Sequence, residues 1–128
     1  MNKILIIEDH ADMRELLTWQ IELMGFTPVT ARHAKEGMEK ARAESPQLIL
    51  MDIMMPGMDG WEAARELKAH PDTKDIPILA ATALFRDADL KTCMESGCSG
   101  YIVKPFTFQE LQSKVRELIP ASSATFPL

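Results

Sequence analysis

Short runs of branched apolar residues alternate along this chain with amphipathic stretches, and the alternation predicts its elements. Ile4-Leu5-Ile6-Ile7 is continuously apolar over too short a length for a helix, so it reads as a strand buried on both faces. Met13, Leu17, Ile21 and Met24 then recur at helical spacing, with Gly25 as a C-terminal stop. Thr27 to Ala31 is a weaker strand, which Pro28 consigns to an edge or to a first strand position. His33 to Glu44 reads as a polar helix with Ala34, Met38 and Ala41 as its apolar stripe, ended by Ser45-Pro46. Leu48 to Met51 is the second clear strand and is closed by Asp52; the Pro- and Gly-containing loop Met54 to Met58 follows. Asp59 is a candidate N-cap for a helix over Gly60 to His70. Ile76 to Ala81 is the third strong strand, Asp87 to Ser96 a helix ended by Gly97, and Gly100 to Val103 a short strand. Thr107 caps a last helix carrying Leu111, Val115, Leu118 and Ile119, which Pro120 stops.

Five strands alternating with five helices imply an α/β domain, a doubly wound parallel sheet with helices on both faces and right-handed crossovers. The pattern leaves the strand order open. Residues 1–119 form one domain and 120–128 a short flexible tail without charge. The composition, 46% hydrophobic and 26% charged over 128 residues, is that of a folded globular chain. A net charge of -5 excludes a domain-wide basic footprint for direct nucleic-acid binding and gives no attraction to anionic membranes. No stretch approaches a membrane span, and the amino end meets Glu8-Asp9 too early for a signal peptide. Two cysteines make no disulfide framework, so a cytoplasmic protein with reduced thiols is expected.

In an open parallel sheet, ligands bind beyond the carboxyl ends of the strands. There stand Glu8-Asp9 after the first strand, Asp52 after the third, Thr82 after the fourth and Lys104 after the fifth. Gathered carboxylates repel: at ~4 Å and an effective dielectric of about 20, each pair costs roughly 4 kcal/mol. Such a cluster raises a pKa or binds a cation. Hard oxygen donors without cysteine favour Mg²⁺ over zinc, and Mg²⁺ keeps waters and shares a phosphate. A lysine and a hydroxyl nearby suit that phosphate's other oxygens. Metal, acceptor carboxylate, lysine and hydroxyl together read as a phosphoryl-transfer site, and without a glycine-rich cradle a nucleotide is not the expected donor.

These residues resemble the receiver domain of two-component response regulators. The resemblance rests on Glu8-Asp9, on Asp52 to Gly60, on Ala81-Thr82-Ala83 and on Gly100 to Phe106, four motifs in order over about residues 2 to 119. It implies a flavodoxin-like (βα)5 fold with strand order 2-1-3-4-5. It also implies that Asp52 accepts phosphate from a sensor histidine kinase or histidine phosphotransfer protein. Glu8, Asp9, Asp52 and the backbone carbonyl of Met54 would hold Mg²⁺. Thr82 and Ala83 would bind the phosphoryl group, and Lys104 would pair with it or with Asp52. Tyr101 would be an aromatic switch, and the bond before Pro105 is often cis. The face of the fourth helix, fifth strand and fifth helix would change for a downstream protein target or output domain. The chain looks most like single-domain members, with the start of a longer regulator as the alternative. Met54 and Leu84 stand where the family tunes phosphoryl lifetime; both are apolar, which implies a long-lived phosphoryl group.

Plainer readings accompany each residue. Asp52 alone would cap a loop, and Glu8-Asp9 alone would be an acid pair favoured by a helix dipole. Thr82 would be an ordinary strand-end threonine, and Lys104 a solvated charge. Tyr101 reads equally as a half-buried core residue. His10 reads as a solvent-facing loop histidine before it reads as a ligand, and His33 and His70 as surface residues. Cys93 and Cys98 fall five apart on one helix, pointing away from each other, as packing or exposed residues rather than a redox pair. Met54, Met55 and Met58 are loop packing or an adaptable docking surface. Trp19 and Trp61 are expected to cover the sheet. Two functions compete with the phosphoacceptor. One is an interaction module of the same fold that is not phosphorylated. The other is an enzyme, a phosphatase with Asp52 as nucleophile, which would want an acid where Met54 stands.

Overall fold

The computed structural model describes residues 2–53, 60–83, 91–92 and 94–119, without the side chains of Gly60 and Trp61. Met54, Met55, Met58, Asp59, Leu84, Cys93, the start of the predicted fourth helix and the tail lie outside the described residues. Five parallel strands make one sheet in the order β2-β1-β3-β4-β5. They are β1 (Lys3–Ile7), β2 (Thr27–Ala31), β3 (Leu48–Asp52), β4 (Ile78–Thr82) and β5 (Gly100–Val103). The helices are α1 (Ala11–Leu23), α2 (Ala34–Glu44), α3 (Gly60–Ala69) and α4 (Phe108–Leu118). Residues 91–92 and 94–95 are also helical, within the span of the predicted fourth helix. The doubly wound order is the one the resemblance implied.

Alternation along the central strands sorts their side chains into two cores. Leu5, Ile7, Ile49, Met51, Ile78 and Ala80 face one way and meet Ala34 and Ala41 of α2 and Ala63, Ala64 and Leu67 of α3. Ile4, Ile6, Leu48, Leu50, Leu79 and Ala81 face the other way and meet Leu17 and Ile21 of α1 and Leu111 and Val115 of α4. This two-sided burial is why β1, β3 and β4 read as unbroken apolar runs. Pro28 sits on β2, an edge strand, as its missing donor requires.

Boundaries follow local chemistry. Thr107 Oγ1 accepts from the Glu110 amide at 3.1 Å and Glu110 Oε1 accepts from the Thr107 amide at 3.0 Å, a reciprocal cap for α4. Gly25 and Gly97, with φ of 91° and 103°, turn the chain where L side chains are strained. His33 is exposed but not idle: its Nδ1 accepts from the Glu36 amide at 3.2 Å and caps α2.

Three sequence readings need correction. β4 runs from Ile78 to Thr82 rather than from Ile76 to Ala81, because the Ile76 amide is spent on Thr73 O in the preceding turn and Pro77 follows. Trp19 is 59% exposed and does not cover the sheet. α1 buries Leu17, Gln20 and Ile21, and at 100° per residue Trp19 falls on the other side, along the open stripe of Leu16 and Leu23. Cys98 is not on a helix with Cys93; it lies past Gly97 before β5, buried in the first core.

Candidate functional site

Parallel register brings the strand ends level. Ile7 pairs with Ala31 on one side and Met51 on the other, Asp52 with Ala81, and Thr82 with Val103. The ladder continues past the strands through Glu8 N to Ala31 O at 3.0 Å, Ile53 N to Ala81 O at 3.1 Å and Lys104 N to Thr82 O at 2.8 Å. Residues remote in the chain therefore share one rim.

Lys104 reaches across that rim, its Nζ 3.1 Å from Glu8 Oε1 and 3.5 Å from Asp52 Oδ2. Glu8 is 1% exposed and Asp52 6%. Burial is the main reason that the Glu8 carboxyl sits above its usual range; its hydrogen bond with Asp52 and that residue's charge push the same way, and Lys104 opposes them. Ligand atoms of Glu8, Asp9, His10 and Asp52 all lie within 4.8 Å of one another. Asp9 Oδ1 is shut off from solvent without a hydrogen-bond partner. A sealed carboxylate oxygen on a residue clustered with two more carboxylates is the environment a hard cation satisfies, so this donor set fits Mg²⁺.

The structure joins Glu8, Asp9, Asp52 and Lys104 as the sequence suggested. Thr82 is fully buried at the end of β4 and Ala83 is exposed just beyond it. The Lys104-Pro105 bond is cis. Tyr101 stands three residues before Lys104, half-buried, with Lys114 Nζ 5.9 Å from its ring centre. The Met54 carbonyl lies outside the described residues.

Two neighbours of the site carry more than the sequence reading allowed. His10 is exposed as expected, yet its Nδ1 is 3.5 Å from Asp9 Oδ1 and 3.8 Å from Glu8 Oε2. Arg14 was not singled out at all. Its Nη1 donates to Glu8 O at 3.0 Å and Asp9 O at 3.4 Å, tying the acid pair's backbone to α1. A signal was present: a cation in a helix's first turn opposes the dipole and asks for another reason to be there.

With this geometry, comparison with known proteins is decisive. The family model of the response regulator receiver domain matches residues 4–116. The chain belongs to this family. It is a receiver domain of two-component signalling. Similar proteins include the probable transcriptional regulator ycf27 of Pyropia yezoensis, 35% identical over 91% of this chain and 47% of that protein. Another is the phosphate regulon transcriptional regulatory protein PhoB of Escherichia coli K12, 34% identical over 91% of this chain and 51% of PhoB. The receiver domain thus spans about half the length of these curated relatives. Among solved structures, chemotaxis protein CheY4 of Vibrio cholerae superposes with a TM-score of 0.88 at 25% identity, over 93% of this chain and 99% of that one. The signal receiver domain of a Syntrophus aciditrophicus histidine kinase gives a TM-score of 0.86 at 31% identity, over 100% and 97%. The receiver domain of the Pseudomonas aeruginosa sensor kinase PA1611, solved with magnesium in its active site cleft, gives 0.84 at 27%, over 91% and 96%.

Proposed function

We propose that Asp52 accepts a phosphoryl group from a histidine kinase or histidine phosphotransfer protein, with Mg²⁺ held by Glu8, Asp9, Asp52 and the Met54 carbonyl. The observation that supports this most is the sealed Asp9 Oδ1, which has no hydrogen-bond partner, beside two buried carboxyls and the Lys104 ammonium. When bound, Mg²⁺ supplies charge that offsets the incoming phosphoryl oxygens. An Asp52 oxygen forms a bond to phosphorus as the phosphorus–nitrogen bond of the donor breaks, and the imidazole leaves with the electron pair. Lys104 then has a phosphoryl oxygen to pair with in place of a second carboxylate, and the Thr82 hydroxyl, at the end of the neighbouring strand, donates to another.

The donor must rest on the rim. Leu16, Trp19 and Leu23 leave an apolar stripe exposed on α1. A cavity of about 130 Å³ lined by Met13, Leu16, Gln20, Pro105 and Phe106 opens beside it at Lys104. Gln20 Oε1 is buried there without a hydrogen-bond partner. These features suit the phosphodonor protein. A second cavity of about 410 Å³ between β5 and α4, with Tyr101, Val103, Gln109 and Lys114 in its wall, supports the expected switch face for a downstream target or output domain. The chain acts in the cytoplasm as a regulatory acceptor rather than a catalyst.

An acyl phosphate with Mg²⁺ is expected to add one phosphoryl group by intact mass, and Asp52→Ala to add none. Repeated turnover of small phosphate esters, or unchanged labelling of Asp52→Ala, would overturn the proposal.

A further inference from the structure

Arg14, Arg32 and Lys40 converge, with Thr30 and Glu36, on an open cavity of about 290 Å³ where the ends of β2 and α1 meet α2. Among the described residues none of these three cations has a carboxylate at ion-pair distance. Lys40 Nζ donates to Thr30 O, and Arg14 Nη1 to Glu8 O and Asp9 O. Carbonyls satisfy hydrogen bonds but leave the charges uncancelled. Glu36 is the single acid in the wall, and its Oε1 is occupied by the Arg32 amide at 2.6 Å. That bond, with the nearby charges of Lys40, Arg32 and His33, holds its carboxyl below the usual range. The cavity therefore carries three positive charges against one, in a chain whose net charge is -5. Like charges converge at a cost unless something anionic joins them.

We propose that this cavity is an anion site for a phosphate group, separate from the phosphoacceptor aspartate. The Arg32 guanidinium offers a planar pair of donors that matches phosphate oxygens, Arg14 adds its charge while its Nη1 holds two carbonyls, and Lys40 adds a point charge. Arg14 is common to both sites, because the guanidinium in this wall also ties down the backbone of Glu8 and Asp9. The anion is free phosphate or the phosphoryl end of a small ester.

The test is titration of the Mg²⁺-free chain with inorganic phosphate and, separately, glycerol phosphate, at ionic strength held constant with chloride, following the amide resonances of Thr30, Arg32 and Glu36. Saturable shifts with either probe support the site, and the tighter probe identifies the free or the esterified anion. Arg32→Gln with Lys40→Gln is expected to weaken binding at least about tenfold while still accepting phosphoryl at Asp52; Asp52→Ala is expected to bind normally. Unsaturable shifts, unchanged binding in the double variant, or loss in Asp52→Ala would overturn the proposal. The Asp52→Ala arm keeps its failure distinct from failure of the phosphoacceptor reading.

Discussion

Lys104 stands against Glu8 and Asp52 together, and removing it tests how the site balances charge. Losing an ion partner of a buried carboxylate costs about 2 kcal/mol, and the burial that raises the Glu8 pKa is opposed by Lys104 itself. Lys104→Gln is therefore expected to lower the urea midpoint in chelator, with saturating Mg²⁺ restoring most of the loss. The pH dependence follows from Glu8. Its folded pKa is raised above 4.5, so its stabilising effect is full below that value and is lost as pH rises through the folded value. In chelator, stability is expected to decline over that window, and Glu8→Gln to flatten the decline. An equal slope in both proteins would show that Glu8 does not carry it. At this scale the site was legible because its residue types are unusual at strand ends. Arg14 was marked only by its place in a helix's first turn, because its partners are carbonyls, which a sequence does not display as targets.

Between elements, packing overrides propensity at Gly37. In an isolated helix, alanine would gain about 1 kcal/mol over glycine. Here a Cβ would stand 2.4 Å from Ile7 Cδ1 and 2.7 Å from its Cγ1. Ile7 is 1% exposed within β1 and has little room to yield. Overpacking of this kind costs about 1–3 kcal/mol, so Gly37→Ala is expected to be destabilised by up to about 2 kcal/mol in thermal or urea unfolding. A gain in stability would show that Ile7 repacks freely. The element pattern itself was readable from periodicity, with errors where one signal outweighed another. Aromatic character suggested that Trp19 packs on the sheet, whereas helical phase leaves it open to solvent. The apolar Ile76 seemed to begin a strand, whereas its amide belongs to a turn.

Across the whole molecule, the rim couples folding to metal. A cation that binds only the folded chain stabilises it by about 1.4 kcal/mol at tenfold its Kd. Mg²⁺ is expected to raise the melting temperature in a saturable way. Asp9→Asn, which turns the sealed Oδ1 carboxylate into an amide, is expected to remove the shift; an equal shift in that variant would place the metal elsewhere. The alternation of apolar runs and amphipathic stretches by itself determined the class of fold, since two-sided burial demands continuous apolar strands and helices on both faces. It also determined which residues stand at strand ends. Which strands lie side by side, and so which acids share a rim, was decided only by the tertiary structure. Backbone pairing is nearly blind to side-chain identity, and the β2-β1-β3-β4-β5 order arises from how the crossovers distribute helices over the sheet. The cavity of uncancelled cations beside α2 likewise joins β2, α1 and α2, elements whose proximity no local pattern encodes.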